Sequence, residues 1–299
     1  MTNGRRSSWG LTSDSRAAAE MARRRILVLG ASGYLGKELV RQSLRAGLSV
    51  AATYASNPRS TSGATWHQID LTDADRTMEL VTTIRPDVII NAAYRQSSWA
   101  DTADTAVNAA HAAAATRARL VFVSSDVVFD GHHSPYAEGA APSPITAYGS
   151  AKLAAETAIA TLTPTAVIAR TSLIVGSDGV SPQERRVRDL AQRRATGVLF
   201  TDDIRCPVHV SDLAAALLEL AATERSGIHH LAGSDAISRY EMGVLIAQRD
   251  GLDASLLQPG NRAGSDSPGP LDVRLDSSAT QAQLHTRLRG AREFLVKPG

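Results

Sequence analysis

The chain has 299 residues, 43% of them hydrophobic and 21% charged, which is enough for one large core or two domains and too apolar for a disordered polymer. Its 32 Lys and Arg against 30 Asp and Glu leave a formal charge of +2, without the basic footprint of a dedicated nucleic-acid binder. The lone Cys206 excludes an intramolecular disulfide and fits a reducing cytoplasm.

Residues 1–22 carry paired arginines with no apolar stretch behind them, so they read as a flexible extension rather than a secretion signal. From residue 25, short apolar runs alternate with longer segments of helical period, the pattern of βαβ units feeding a parallel sheet. The strands are RILVL (25–29), SVAATY (49–54), WHQID (66–70), DVIIN (87–91), ARLVFV (118–123) and TAVIAR (165–170). They are continuous Val/Ile/Leu runs, as expected for strands covered on both faces. Helices are expected near 34–46, 73–85, 102–116 and 145–161, and Arg85-Pro86 stops the second of them.

Beyond Arg170 the pattern loosens: an Arg-rich helix near 181–196, a strand at 198–200, helices at 210–223 and 238–249, and a strand GIHHLA at 227–232. The stretch 250–276 is rich in Gly, Pro, Ser and Asp and reads as loop with short strands. The expected fold class is therefore α/β, a doubly wound parallel sheet (23–170) followed by a smaller substrate-binding lobe (171–299), with 207–232 returning to the first domain. No apolar run approaches the length needed to cross a membrane.

Gly30-Ala-Ser-Gly33-Tyr-Leu-Gly36 directly follows the first strand and opens the first helix. In that context the glycines bring backbone N–H groups against a pyrophosphate, and the helix N-terminus adds partial positive charge. The loop points to a dinucleotide. At the end of the second strand, where a carboxylate selects the free ribose hydroxyl of NAD, stand Thr53-Tyr54-Ala55-Ser56, with Arg59 close behind. Without that carboxylate nothing repels a 2′-phosphate, so NADPH is expected in preference to NADH. Asp70 and Leu71, ending the third strand, are placed at the adenine.

Tyr148-Gly-Ser-Ala-Lys152 sets a phenol and an ammonium four residues apart, on one face of a helix. A nearby cation favours the phenolate, and a tyrosine so tuned exchanges a proton with a carbonyl or alcohol. Only three lysines occur in the chain, Lys37, Lys152 and Lys297, against 29 arginines, which singles out Lys152. Ser124-Ser125-Asp126 ends the preceding strand at the carboxyl edge, where doubly wound sheets bind ligands.

Taken with NAAY (91–94), VN (107–108), SSDVVFDG (124–131), RTSLIVG (170–176), PVHVSDLA (207–214) and LDVRLDSS (271–278), these motifs resemble the extended short-chain dehydrogenase/reductase family. Within it the chain is most similar to the dTDP-4-dehydrorhamnose reductases and their sugar-nucleotide-binding relatives. The resemblance covers almost everything after residue 24 and implies a Rossmann-type sheet. It makes Tyr148 the general acid, has Lys152 lower its pKa and hold the nicotinamide ribose, and gives Ser125 the carbonyl-binding place. It sets Ser32, Gly33, Tyr34, Leu35, Asp70, Leu71, Ala92, Ala93 and Tyr94 around the cofactor, with Asn91 bridging strand and loop and Asn108 ordering a proton relay. Ser125-Asp126-Val127 lacks the Glu of the dehydratase branch, which favours reduction over dehydration.

The chain departs from the rhamnose enzymes at Val127, where they carry Tyr, and at Leu173, where they carry Trp. It departs again in YRQSSWADTAD (94–104) and DDIRCPV (202–208). Asp126 and Arg205 are the substrate candidates, and Arg185, Arg186, Arg188, Arg193 and Arg194 read mainly as a solvated helix face. The His132-His133 and His229-His230 pairs lack metal-ligand spacing, so no metal is expected. The leading expectation is an NADPH-dependent reductase of a nucleotide-linked keto sugar, free of nucleic acid and membrane and forming a homodimer. A cofactor-binding regulatory subunit without turnover and an NAD-dependent epimerase are the alternatives.

Overall fold

The computed structural model describes residues 24–56, 61–176, 181–266 and 268–296. Seven parallel strands form the central sheet: β1 (Arg25–Leu29), β2 (Ser49–Tyr54), β3 (Ala64–Gln68), β4 (Val88–Asn91), β5 (Arg119–Ser125), β6 (Val167–Thr171) and β7 (Gly227–Leu231). Their spatial order is β7-β6-β5-β4-β1-β2-β3, so the winding reverses between β1 and β4. In register, Leu29 lies beside Asn91 across that reversal, and Ser125 lies beside Thr171. A crevice at the carboxyl ends of the strands follows from this order, because the connections leave β1 and β4 in opposite directions.

The longer helices among the described residues are α1 (Tyr34–Arg45), α2 (Ala74–Ile84), α3 (Thr105–Thr116), α4 (Ala147–Leu162), α5 (Pro182–Ala191), α6 (Val210–Ala221) and α7 (Arg239–Arg249). The alternation of side chains along a strand divides the core. Ile26 and Val28 of β1 pack with Leu39, Val40, Leu213 and Leu217 under α1 and α6. Leu27 and Leu29 pack with Val81, Ile84, Ala106, Ala110 and Ile159 under α2, α3 and α4. Ala106, Ala109, Ala110, Ala112 and Ala113 of α3 are buried, and their small side chains let it lie close to the sheet. At roughly 1.5–3 kcal/mol for each fully buried Leu, Ile or Val, these two layers dominate the stability of the sheet.

Observed boundaries follow the expected ones closely for β1, β2 and α1. The third strand is displaced: it pairs over Ala64–Gln68 rather than 66–70, with the Ile69 N–H still on the Tyr54 carbonyl at 3.0 Å before the chain turns at Asp70. A single π-helical turn, Ala100–Asp104, leads into α3. Arg85 and Arg117 end α2 and α3 in the left-handed conformation, at φ of 50° and 58°.

The second lobe gathers α5 and α7 over Val187, Leu190, Leu199, Met242, Ile246 and Phe294. Ser181 and Glu184 form a reciprocal capping box at the start of α5. An antiparallel pairing of Ile204–Arg205 with Ile237–Ser238 delivers the first turn of α7 toward the sheet. The two ends of this chain segment meet again at the sheet, where β7 pairs with β6 and α6 packs on α1. The expected extension at 1–22 lies outside the described residues.

Candidate active site

A cleft of about 640 Å³ opens at the carboxyl edge, above the reversal between β1 and β4. The Gly30–Gly36 loop forms its floor. Gly33 is the N-cap of α1 and offers no side-chain cap, so the first N–H groups of the helix are left for a ligand. Gly36 is fixed by close approach: a Cβ there would sit 2.3 Å from the Gly30 carbonyl oxygen and 2.6 Å from Ala31 Cα. Asn91 accepts from the Ala93 N–H at 3.0 Å, bridging β4 to its loop, while its buried Nδ2 lacks a partner. An uncapped helix N-terminus, a backbone-tight glycine turn and an orphaned amide suit a pyrophosphate.

Of the expected cofactor residues, Gly30, Ser32, Gly33, Tyr34, Leu35, Thr53, Asp70, Leu71, Ala92, Ala93 and Tyr94 line the cleft. Thr53 is buried, and its hydroxyl accepts from the Gly30 N–H at 3.1 Å, so it braces the loop. Asp70 is held below the usual carboxylate range by hydrogen bonds from Thr72. Gly36 lies behind the loop, packed on Ala31, and Arg59 falls outside the described residues. Asn108 donates to the Leu71 and Thr72 carbonyls at 3.0 and 3.1 Å, which ties α3 to the loop after β3 and leaves no amide hydrogen bond directed toward Tyr148.

The catalytic candidates converge. Thr146 caps α4 by accepting from Gly149, and Gly149 presses against the turn after β5, where a Cβ would stand 2.2 Å from the Val127 carbonyl oxygen. That contact carries Tyr148 to the side of Ser125, whose hydroxyl is near enough to favour the phenolate slightly. The Tyr148 ring lies 5.7 Å from the Tyr94 ring. Lys152 is buried, donates to the Val123 carbonyl at 2.8 Å and stands 5.9 Å from the Tyr148 ring centroid.

The electrostatics differ from the expectation that Lys152 lowers the tyrosine pKa. Burial, with Tyr94 and Asp126 adding to it, pushes Tyr148 above its ordinary value, and the Ser125 hydroxyl only partly opposes this. Burial brings Lys152 down to about 7, against the opposing pull of Glu156. Desolvation exceeds the cation's influence here, and the phenol is held protonated, the state a proton donor requires.

Below these residues, Glu156 accepts from Ser124 and forms a bidentate pair with Arg170 at 2.8 Å, both side chains buried. Asp126 is buried, accepts from Ser172 at 2.7 Å, and lies beside Ser125 Oγ at 3.3 Å; burial raises its pKa against the pull of Arg205.

Arg205 does not enter the cleft. It is 2% exposed and spends its donors on the carbonyls of Ile204, Leu271 and Pro270 and on Asp203, so the substrate contact expected of it is corrected to a backing role behind Asp126. The arginines that line the cleft are Arg95, Arg185 and Arg239, with Gln183 beside the last two. No local motif marks Arg239; its place depends on the pairing of two distant strand pieces. Cys206 is buried and pushed up to about 11 by burial, an inert thiol. Among the described residues no three His, Cys, Asp or Glu side chains converge as a metal site.

The model of the RmlD substrate binding domain family matches residues 24–297. A probable low-salt glycan biosynthesis reductase, Agl14, of Haloferax volcanii is 32% identical over 274 residues, covering 86% of this chain and 91% of that protein. The dTDP-4-dehydrorhamnose reductase of Mycolicibacterium smegmatis is 31% identical, covering 94% of this chain and 86% of its own. The fold superposes on the dTDP-4-dehydrorhamnose reductase of Bacillus anthracis in complex with NADP, with a TM-score of 0.77 at 24% identity over 91% of this chain and 97% of that one. The chain belongs to the RmlD substrate binding domain family, the dTDP-4-dehydrorhamnose reductase-like branch of the extended short-chain dehydrogenase/reductases.

Proposed function

We propose that this protein is an NADPH-dependent reductase of a keto group on a nucleotide-activated sugar. The oxidoreductase class follows from the family and its reductase relatives. The observation that carries the finer reading is the convergence of Ser125, Tyr148 and Lys152 on one cleft, beside an uncapped phosphate-binding helix.

Ser125 and Tyr148 hold a substrate carbonyl oxygen between two hydroxyls, and Tyr148 delivers its proton to that oxygen as negative charge develops there. When bound, the nicotinamide supplies the hydride. Lys152 sits where an ammonium reaches a ribose hydroxyl and offsets the charge left on the phenol, a task suited to a compact cation. The Tyr94 ring lies against one side of Tyr148.

NADPH is favoured over NADH because no carboxylate stands at the end of β2, where Tyr54 and Ala55 line the cleft. Solved neighbours of the fold bind NADP or NAD, so the direct test is the ratio of turnover with the two cofactors. The intact Ser125, Tyr148 and Lys152 stand against a purely binding role. Tyr148→Phe tests the mechanism: turnover is expected to fall about 10³-fold with NADP affinity kept. Unchanged NADPH oxidation in that variant rules out the phenol as the acid.

A further inference from the structure

The cleft wall beside Ser172 and Leu173 backs onto a cluster of charges that the hydride and proton steps do not use. Two carboxylates, Asp126 and Asp203, face three guanidinium groups, Arg205, Arg239 and Arg262. Asp203 is fully buried, and its Oδ2 accepts from Arg262 at 2.7 Å and from Arg239 at 3.2 Å. A third carboxylate, Asp202, lies beside Arg262 at the edge of the cluster.

Two of the three arginines are committed. Arg205 binds backbone carbonyls behind Asp126, and Arg262 lies over the Phe200 ring at 4.5 Å. Arg239 lines the cleft. As the first residue of α7, it is held by its own N–H on the Asp203 carbonyl at 3.0 Å, by Nε on the Asp203 carboxylate, and by Nη1 on Gln183 at 2.8 Å. Its remaining nitrogen, Nη2, makes no hydrogen bond among the described residues and is not sealed from solvent. A guanidinium anchored on two sides presents its free edge without further loss of side-chain freedom. Leu173, at the same wall, offers no aromatic face for a neutral sugar.

We propose that Arg239 is a specificity-determining residue that receives an anionic oxygen of the substrate, either a phosphate of the nucleotide carrier or a carboxylate on the sugar. The inference rests on the nucleotide-sugar reading of the cleft. Asp203 and Gln183 act as positioning residues that aim the guanidinium.

The test is equilibrium titration of dTDP-glucose and dTDP-glucuronate into protein saturated with NADP⁺, for the wild type, Arg239→Met and Arg239→Lys. Arg239→Met is expected to weaken binding about tenfold or more, the loss expected of a charge-assisted hydrogen bond. Loss for both ligands assigns the contact to phosphate, and loss confined to dTDP-glucuronate assigns it to the carboxylate. Arg239→Lys retains part of the affinity, and the NADP⁺ affinity of both variants stays at the wild-type value. Equal affinity in Arg239→Met, a wild type that binds neither ligand, or a parallel loss of NADP⁺ binding in both variants overturns the proposal. Because turnover is not the readout, binding through Arg239 by a protein that never oxidises NADPH would fail the reductase reading alone. An active reductase indifferent to Arg239 would fail this inference alone.

Discussion

Lys152 shows how one side chain is asked to meet two opposed demands. It must sit in a dry pocket beside Tyr148, and the pocket disfavours its charge, bringing it from 10.5 down to about 7. Between those values the unfolded chain binds more protons than the folded one, so stability rises with pH across that window, and the full cost of burying the charge is present below about 7. Lys152→Met is therefore expected to raise the melting temperature most below pH 7, with the gain shrinking toward pH 10. A gain independent of pH would contradict the shift. The Tyr148 and Lys152 pair was legible in the sequence because a four-residue spacing on a helix sets both on one face. Arg205 was misread because a motif fixes proximity and not direction: its donors turn to backbone carbonyls instead of the cleft. Arg239 was missed because its partner, Asp203, lies 36 residues away.

At the scale of elements, the phosphate loop and the Glu156–Arg170 pair set the precision of the site. Gly36→Ala is expected to destabilise the fold by about 1–3 kcal/mol and abolish NADP binding, since the added methyl meets backbone that has nowhere to move. Denaturant unfolding and calorimetric titration check both effects. Arg170→Met strands the buried Glu156 carboxylate and is expected to cost about 3–5 kcal/mol, with the paired change Glu156→Leu and Arg170→Met recovering part of it. A double variant no more stable than the single one would show that the pair does not act as a unit. The strands were legible where both faces are buried, as in β1 and β4, whose hydrophobic runs are continuous. β3 was shifted by two residues because it is an edge strand with half-exposed side chains, so its apolar pattern does not fix the pairing limits. Nothing in the sequence marks Gly149 beyond its place in the Tyr148–Lys152 motif. Its close approach to Val127 is what joins α4 to the Ser125 turn.

For the whole molecule, the order β7-β6-β5-β4-β1-β2-β3 determines where chemistry occurs, because the reversal beside β1 opens the crevice that receives both the phosphate loop and the Ser125 turn. The alternation of strands and helices made this order readable from sequence. The second lobe was less readable: its short pairings, such as Ile237 with Arg205, join segments with no pattern in common, yet they bring Arg239 to the cleft. The central claim is that the two lobes together reduce a keto sugar with NADPH. It is tested most directly by incubating the protein with deuterium-labelled NADPH and dTDP-4-keto-6-deoxy sugars and following NADPH absorbance and the mass of the sugar product. The expected result is NADPH oxidation with one deuterium transferred to the former carbonyl carbon. NADPH that stays bound and unoxidised across the panel would contradict it.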